Sequence, residues 1–128
     1  GLGRTGRLVL DHYHALGIRT LGVDYDPEAI AAMQARDIPA LFGTAEDQEF
    51  IRELPVDQAK LLVITLPYLD DVQDLLQTLS ETAFDGRIIA VARSDADAAA
   101  LKQLGVDEVV NPFELAFEEI QRLTLPSP

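Results

Sequence analysis

The 128-residue chain contains no cysteine. That absence removes a disulfide framework, a thiolate metal site and a cysteine nucleophile together, and it leaves the redox compartment unmarked. Basic residues are scarce too: 10 Lys and Arg stand against 22 Asp and Glu, a formal net charge of −12 at pH 7. Affinity for a polyphosphate comes mostly from Lys and Arg displacing counterions, so this balance argues against a nucleic-acid partner and against an anionic membrane surface. Long apolar runs are missing as well. The longest is about the length of Leu61-Leu62-Val63-Ile64, far short of the roughly 20 residues a spanning helix needs, so no direct membrane insertion is expected. The sequence opens on Gly1-Leu2-Gly3 rather than on the basic-then-apolar pattern of a secretory signal.

What is present is a globular composition, 48% hydrophobic and 25% charged, in a length that suits one domain with a real core. Residues 1–123 read as that domain. Residues 124–128 carry two prolines and no periodicity, and read as a linker or disordered end. Short β-rich runs fall at 19–23, 40–42, 60–65, 87–91 and 108–110. Between them lie helical periods: a first helix carrying Leu8 and Leu16 and stopped by Gly17, then one capped by Asp26 with Pro27 in its first turn and Ile30 and Met33 buried. Further helices are expected over 46–54, 69–80 and 95–104, where Gly105 ends the last of these, and Pro112 opens a sixth. Continuous apolar strands alternating with helices indicate an α/β fold with a parallel sheet, a Rossmann-like doubly wound arrangement of strand order 3-2-1-4-5-6 with helices on both faces.

Gly1-Leu2-Gly3-Arg4-Thr5-Gly6 matches G-x-G-x-x-G and leads directly into a helical period. In such a turn the first glycine permits the bend, the second lets a pyrophosphate approach the backbone, and the third lets helix and strand pack closely. Asp24, eighteen positions after Gly6 and at the end of the next strand, stands where an acid holds the ribose hydroxyls. A solvated turn carboxylate is the plainer reading of that residue. An acid here repels a 2′-phosphate and so favours NAD or an adenosine nucleotide over NADP. The motif normally follows a strand, and none precedes Gly1, so the central first strand is expected to lie upstream in a longer parent sequence.

Catalytic candidates are few. His12 and His14 sit two apart on one helix and point to different faces, which suits packing or solvent better than a shared metal. None of Tyr13, Tyr25 and Tyr68 is followed four residues later by Lys, so the Tyr-x-x-x-Lys pair of short-chain dehydrogenases is missing. Asp70-Asp71 and Glu118-Glu119 are adjacent positions that diverge on a helix, and acids near a helix start favour its positive end. No catalytic or metal-ligating residue is therefore expected, and the chain reads as a binding module.

Gly1–Gly6 together with Val23-Asp24-Tyr25-Asp26-Pro27-Glu28, Phe42-Gly43-Thr44-Ala45, Leu62-Val63-Ile64-Thr65-Leu66-Pro67, Ile88-Ile89-Ala90-Val91-Ala92-Arg93 and Gly105-Val106-Asp107-Glu108-Val109-Val110 resembles the regulator of potassium conductance or Trk-type N-terminal domain family. Arg4 and Thr65-Leu66-Pro67 look most like the cytosolic domains of Kef-type cation:proton antiporters. The resemblance implies a non-enzymatic regulatory domain at the inner face of the cell membrane that binds NAD(H) or an adenine nucleotide such as AMP or ATP. It implies that Gly1, Gly3, Arg4, Thr5 and Gly6 hold phosphate, Asp24 the ribose, and Tyr25, Thr44 and Ala45 the adenine, with Thr65, Leu66 and Pro67 lining the far half of the cleft. Thr44 departs from the acid that the family usually has there. Arg93 faces either a second charged ligand, a partner subunit or plain solvent.

Implied partners are a membrane-embedded potassium channel or antiporter domain and a second copy of the chain. The stripe Phe113, Leu115, Ala116, Phe117 and Ile120 offers an interface for that homodimer, although ordinary core packing is expected for at least half of it. Two other readings stay open: the cofactor half of an NAD-dependent oxidoreductase, and a scaffold that has lost nucleotide binding.

Overall fold

The computed structural model describes residues 4–126; Gly1 and Gly3 lie outside them. Helices and strands alternate as α1 Arg4–Ala15, β1 Gly22–Asp24, α2 Pro27–Gln34, β2 Ala40–Phe42, α3 Gln48–Glu53, β3 Leu61–Ile64, α4 Leu69–Leu79, β4 Arg87–Val91, α5 Asp95–Gln103, β5 Glu108–Val110 and α6 Pro112–Thr124. Side-chain oxygens stop the orphan N–H groups at four helix starts from going unpaired. Asp26 accepts from Glu28 N at 3.0 Å, Asp47 from Phe50 N at 3.1 Å, Ser94 from Asp97 N at 3.1 Å and Asn111 from Phe113 N at 3.1 Å. The chain leaves α1 through Gly17 and α5 through Gly105, whose φ values of 76° and 88° belong to the left-handed region that glycine enters without a Cβ clash.

All strand pairings are parallel. β1 pairs with β2 in one sheet, and β3-β4-β5 form a second; no ladder joins the two among the described residues. The α/β class read from the sequence is the observed one.

Most element ends fall within one or two residues of the sequence reading, and three of the differences have a plain local reason. The run at 19–23 becomes a strand only at Gly22–Asp24, because the ladder to β2 begins with Gly22 N donating to Pro39 O at 3.0 Å, and Pro39 has no N–H with which to carry it further back. Helix α3 starts at Gln48 rather than 46 because residues 44–47 form a turn, with Glu46 N donating to Thr44 Oγ1 at 3.0 Å and Asp47 N to Thr44 O at 3.2 Å. Thr124, expected in the tail, is the last residue of α6, its hydroxyl donating to Ile120 O at 2.7 Å.

Apolar spacing then divides the core in two. Leu10 of α1 packs with Ala29, Ile30 and Met33 of α2, Ile38 and Ala40 in one cluster, so the Ile30 and Met33 stripe is buried as its spacing predicts. The larger cluster gathers Ile64 and Ala90 from the second sheet and Ala92 just beyond β4 with Val72, Leu75 and Leu79 of α4, Ile51, Leu101 and Val106. Each fully buried Leu, Ile or Val contributes about 1.5–3 kcal/mol. Thr78 is buried on the same stripe of α4 and satisfies its hydroxyl by donating to Asp74 O at 3.1 Å.

Helix α6 overturns an expectation. No residue in it is buried, and Phe113, Phe117 and Ile120 are 63%, 62% and 59% exposed, so none of the stripe expected to pack in the core does so. In the helix only Glu114, Leu115 and Glu118 border a groove beside Val109 and Val110 of β5, and at 100° per residue the exposed Phe113, Ala116, Phe117, Ile120 and Leu123 face lies on the opposite side of the helix.

Candidate nucleotide site

Parallel strands bring their C-terminal ends to one edge of each sheet, and the predicted binding residues all follow such ends or open α1. At the start of α1, Arg4 and Thr5 are exposed and Gly6 is buried. The first turn of α1 contains no acid, whereas α2, α3, α4, α5 and α6 carry Glu28, Glu49, Asp70 and Asp71, Asp95 and Asp97, and Glu114 in theirs. In a chain of net charge −12, five helices thus place carboxylates at their positive ends, and among the described α-helices only the first turn of α1 has none.

Asp24 ends β1, half-buried, and its Oδ1 accepts from Asp26 N at 2.9 Å, which fixes the carboxylate at the strand's tip. Asp26 is occupied as the α2 cap, so the two acids divide into one strand-end group and one cap. Register places Asp24 opposite Phe42, and Gly43 N donates to Asp24 O at 3.0 Å. Thr44 therefore starts one residue beyond Asp24's backbone partner. Its hydroxyl accepts from Glu46 N, where an acid would stand in the usual family pattern, while Ala45 packs against the larger core. Tyr25, next to Asp24, is 58% exposed.

Thr65, Leu66 and Pro67 are half-buried beyond β3. Across the β3–β4 pairing, Leu66 and Pro67 meet Val91, Ala92 and Arg93, and Asp97 and Leu101 of α5 close a cavity of about 10 Å³. Arg93 is exposed and forms no ion pair among the described residues. The structure thus brings Asp24 and Thr44 together on one sheet edge and Leu66, Pro67 and Arg93 together on the other. Gly1 and Gly3 fall outside the described residues. Sequence reasoning missed Asp97 as a wall of the far half. No local signal marks it, since its nearness to Leu66 and Pro67 comes from the pairing of β3 with β4.

An α1 start without acids and a carboxylate at the tip of β1 are two features of the kind that hold phosphate and sugar in a dinucleotide or adenine-nucleotide site. Residues 1–112 match the model of the TrkA-N domain. Probable potassium channel protein 2 of Methanocaldococcus jannaschii is 28% identical over 119 residues, 88% of this chain and 34% of that protein. YbaL of Escherichia coli strain K12, described as a cation/proton antiporter, is 24% identical over 127 residues, 98% of this chain and 23% of its own length. The crystal structure of its TrkA-N domain superposes with a TM-score of 0.86 at 22% identity, covering 98% of this chain and 93% of that one. The GsuK channel bound to NAD superposes with a TM-score of 0.74 at 18% identity over 86% of this chain and 20% of that one, and the same channel has been solved bound to ADP. The chain spans about a third or less of the curated relatives it matches. It belongs to the TrkA-N domain family.

Proposed function

We propose that the chain is a cytosolic nucleotide-binding regulatory domain, working at the inner face of the cell membrane to control a potassium channel or a monovalent cation:proton antiporter. The observation that carries this reading is the acid-free start of α1, in a protein that guards every other helix start with a carboxylate, together with a carboxylate, Asp24, at the end of β1. Relatives described as a potassium channel and a cation/proton antiporter, and a structural neighbour solved with NAD and with ADP, support the class of ligand and partner. No helix among the described residues is long and apolar enough to cross a membrane, so the translocating part belongs to a membrane-embedded domain or partner.

Arg4, Thr5 and Gly6, with Gly1 and Gly3, hold the phosphates through backbone N–H groups and the guanidinium. Asp24 holds the ribose, Tyr25, Thr44 and Ala45 border the adenine, and Thr65, Leu66 and Pro67 border the far half. The chain makes and breaks no bonds. Control is by linkage: a nucleotide that prefers one of two domain arrangements shifts the transporter toward it, and a tenfold preference is worth about 1.4 kcal/mol. The domain acts as a homodimer, joined through the outward face of α6.

Calorimetric titration with NAD, NADH, AMP and ATP tests the reading. Asp24→Ala removes charge-assisted hydrogen bonds to the sugar and weakens the best of these ligands about tenfold or more. Equal affinity in the variant, or no heat and no thermal shift with any of the four, overturns it.

A further inference from the structure

A groove of about 170 Å³ runs beside β5, lined by Val109, Val110, Asn111, Glu114, Leu115 and Glu118. It is separate from the nucleotide site, being formed by the last strand and the last helix. β5 is the outer strand of its sheet, pairing with β4 on one side and with no strand on the other among the described residues. Such an edge offers backbone groups to a further chain. Val109, Val110 and Leu115 give the groove an apolar floor, and Glu114 and Glu118 give it acidic walls. Neither glutamate has an ion pair or a side-chain hydrogen bond among the described residues. Glu108 at the head of β5 reaches Arg87 only at 3.4 Å, with both side chains more than 60% exposed.

We propose that this groove takes an extended, basic segment of the membrane-embedded transport partner, added to β5 as a fourth strand of its sheet. The source of the segment rests on the regulatory reading above; the groove itself does not. Strand addition supplies main-chain hydrogen bonds, and alternate side chains enter the pocket. Apolar residues of the segment meet Val109, Val110 and Leu115, and Lys or Arg between them meet Glu114 and Glu118. Cytoplasmic loops beside membrane spans carry an excess of Lys and Arg, the complement of this wall. A second copy of the chain is a poor occupant of this groove, because its 10 Lys and Arg against 22 Asp and Glu leave it few cations to set against Glu114 and Glu118. The apolar stripe of α6 faces the other way, so a dimer through α6 leaves the groove open.

The test is a titration of the ¹⁵N-labelled chain with a blocked hexapeptide alternating lysine and valine. Amide shifts concentrated at residues 108–111 and 114–118 are expected, with about tenfold weaker binding to the double variant Glu114→Gln and Glu118→Gln. The same peptide methylated on alternate backbone nitrogens keeps its charge and loses the ladder, and should bind at least tenfold more weakly. Nucleotide affinity of the double variant should equal that of the parent. Shifts scattered over the acidic surface, equal binding of the methylated peptide, or equal binding to the Gln variant overturn the proposal, as do groove shifts that grow with protein concentration in the absence of peptide. Loss of these effects with nucleotide binding intact removes the groove proposal alone, whereas failure of all four nucleotides with the peptide effects intact removes the regulatory reading and keeps the groove.

Discussion

Asn111 Nδ2 donates to Asp95 Oδ1 at 2.7 Å while its own Oδ1 accepts from Phe113 N and Glu114 N. One amide, 8% exposed, thus caps α6 and fastens it to the first turn of α5, using donor and acceptor at once. Asn111→Ala loses both functions and should cost about 1–3 kcal/mol in urea denaturation. Asn111→Asp keeps the cap but sets two carboxylates against each other, so it should also destabilise. Adding Asp95→Asn restores a donor from the opposite side, and the double variant should recover most of the loss. Additive losses in that cycle would show that the pair is not coupled.

Gly43 marks a second close approach. A Cβ there would lie 2.2 Å from Cε1 of Phe50, whose ring packs against the larger core. Gly43→Ala therefore forces the ring outward and should destabilise by about 1–3 kcal/mol. Because Gly43 N also holds Asp24 O, the same change should weaken nucleotide binding. Phe50→Leu shortens the obstructing group, so Gly43→Ala combined with Phe50→Leu should be no less stable than Phe50→Leu alone, as thermal unfolding can show.

Arg52 Nη2 lies 2.6 Å from Glu81 Oε2 and ties α3 to the end of α4. The hydrogen bond and then the charge of Arg52 hold the Glu81 carboxyl below its ordinary range. A carboxyl whose value is lower folded than unfolded contributes stability that is complete above the unfolded value and is lost as pH falls through the folded one. Glu81→Gln should accordingly unfold at lower temperature than the parent near neutral pH, with the two melting curves converging in strong acid. High salt should narrow the gap at neutral pH, since both side chains are exposed.

These pairs also show how much of the molecule was legible beforehand. Asp26-Pro27 and Asn111-Pro112 announce helices by local chemistry alone, and both start where their caps require. The runs 40–42, 87–91 and 108–110 are strands with those bounds because each is apolar and closed by turn residues. The start of β1 was not legible, because it depends on Pro39, a residue of the neighbouring strand's approach. Asp24 could be placed by counting from the glycines. Asp97 could not, since its nearness to Leu66 and Pro67 arises from the β3–β4 register. Amphipathicity told that α6 has an apolar face but not that the whole helix stays exposed, with only Leu115, on the opposite side from Phe117, bordering the groove beside β5 among its apolar residues.

The outward face of α6 makes the last prediction. Phe113, Phe117, Ile120 and Leu123 recur at the three- and four-residue spacing of a helix–helix seam, each about 60% exposed, and the flanking Glu119 is already neutralised by its ion pair with Arg122. At roughly 100–120 Å² for each large side chain, two such faces in contact bury about 900 Å², close to the lower bound for a specific interface. A dimer of micromolar strength is the expected outcome. Phe117→Glu puts an unpaired carboxylate at the centre of the seam and should raise the dissociation constant at least tenfold in sedimentation equilibrium. Because Phe117 is 62% exposed in its own chain, the variant's monomer should unfold at the parent's denaturant midpoint when both are dilute. A parent that stays monomeric at about 100 µM, well above that strength, would mean that another surface covers this face.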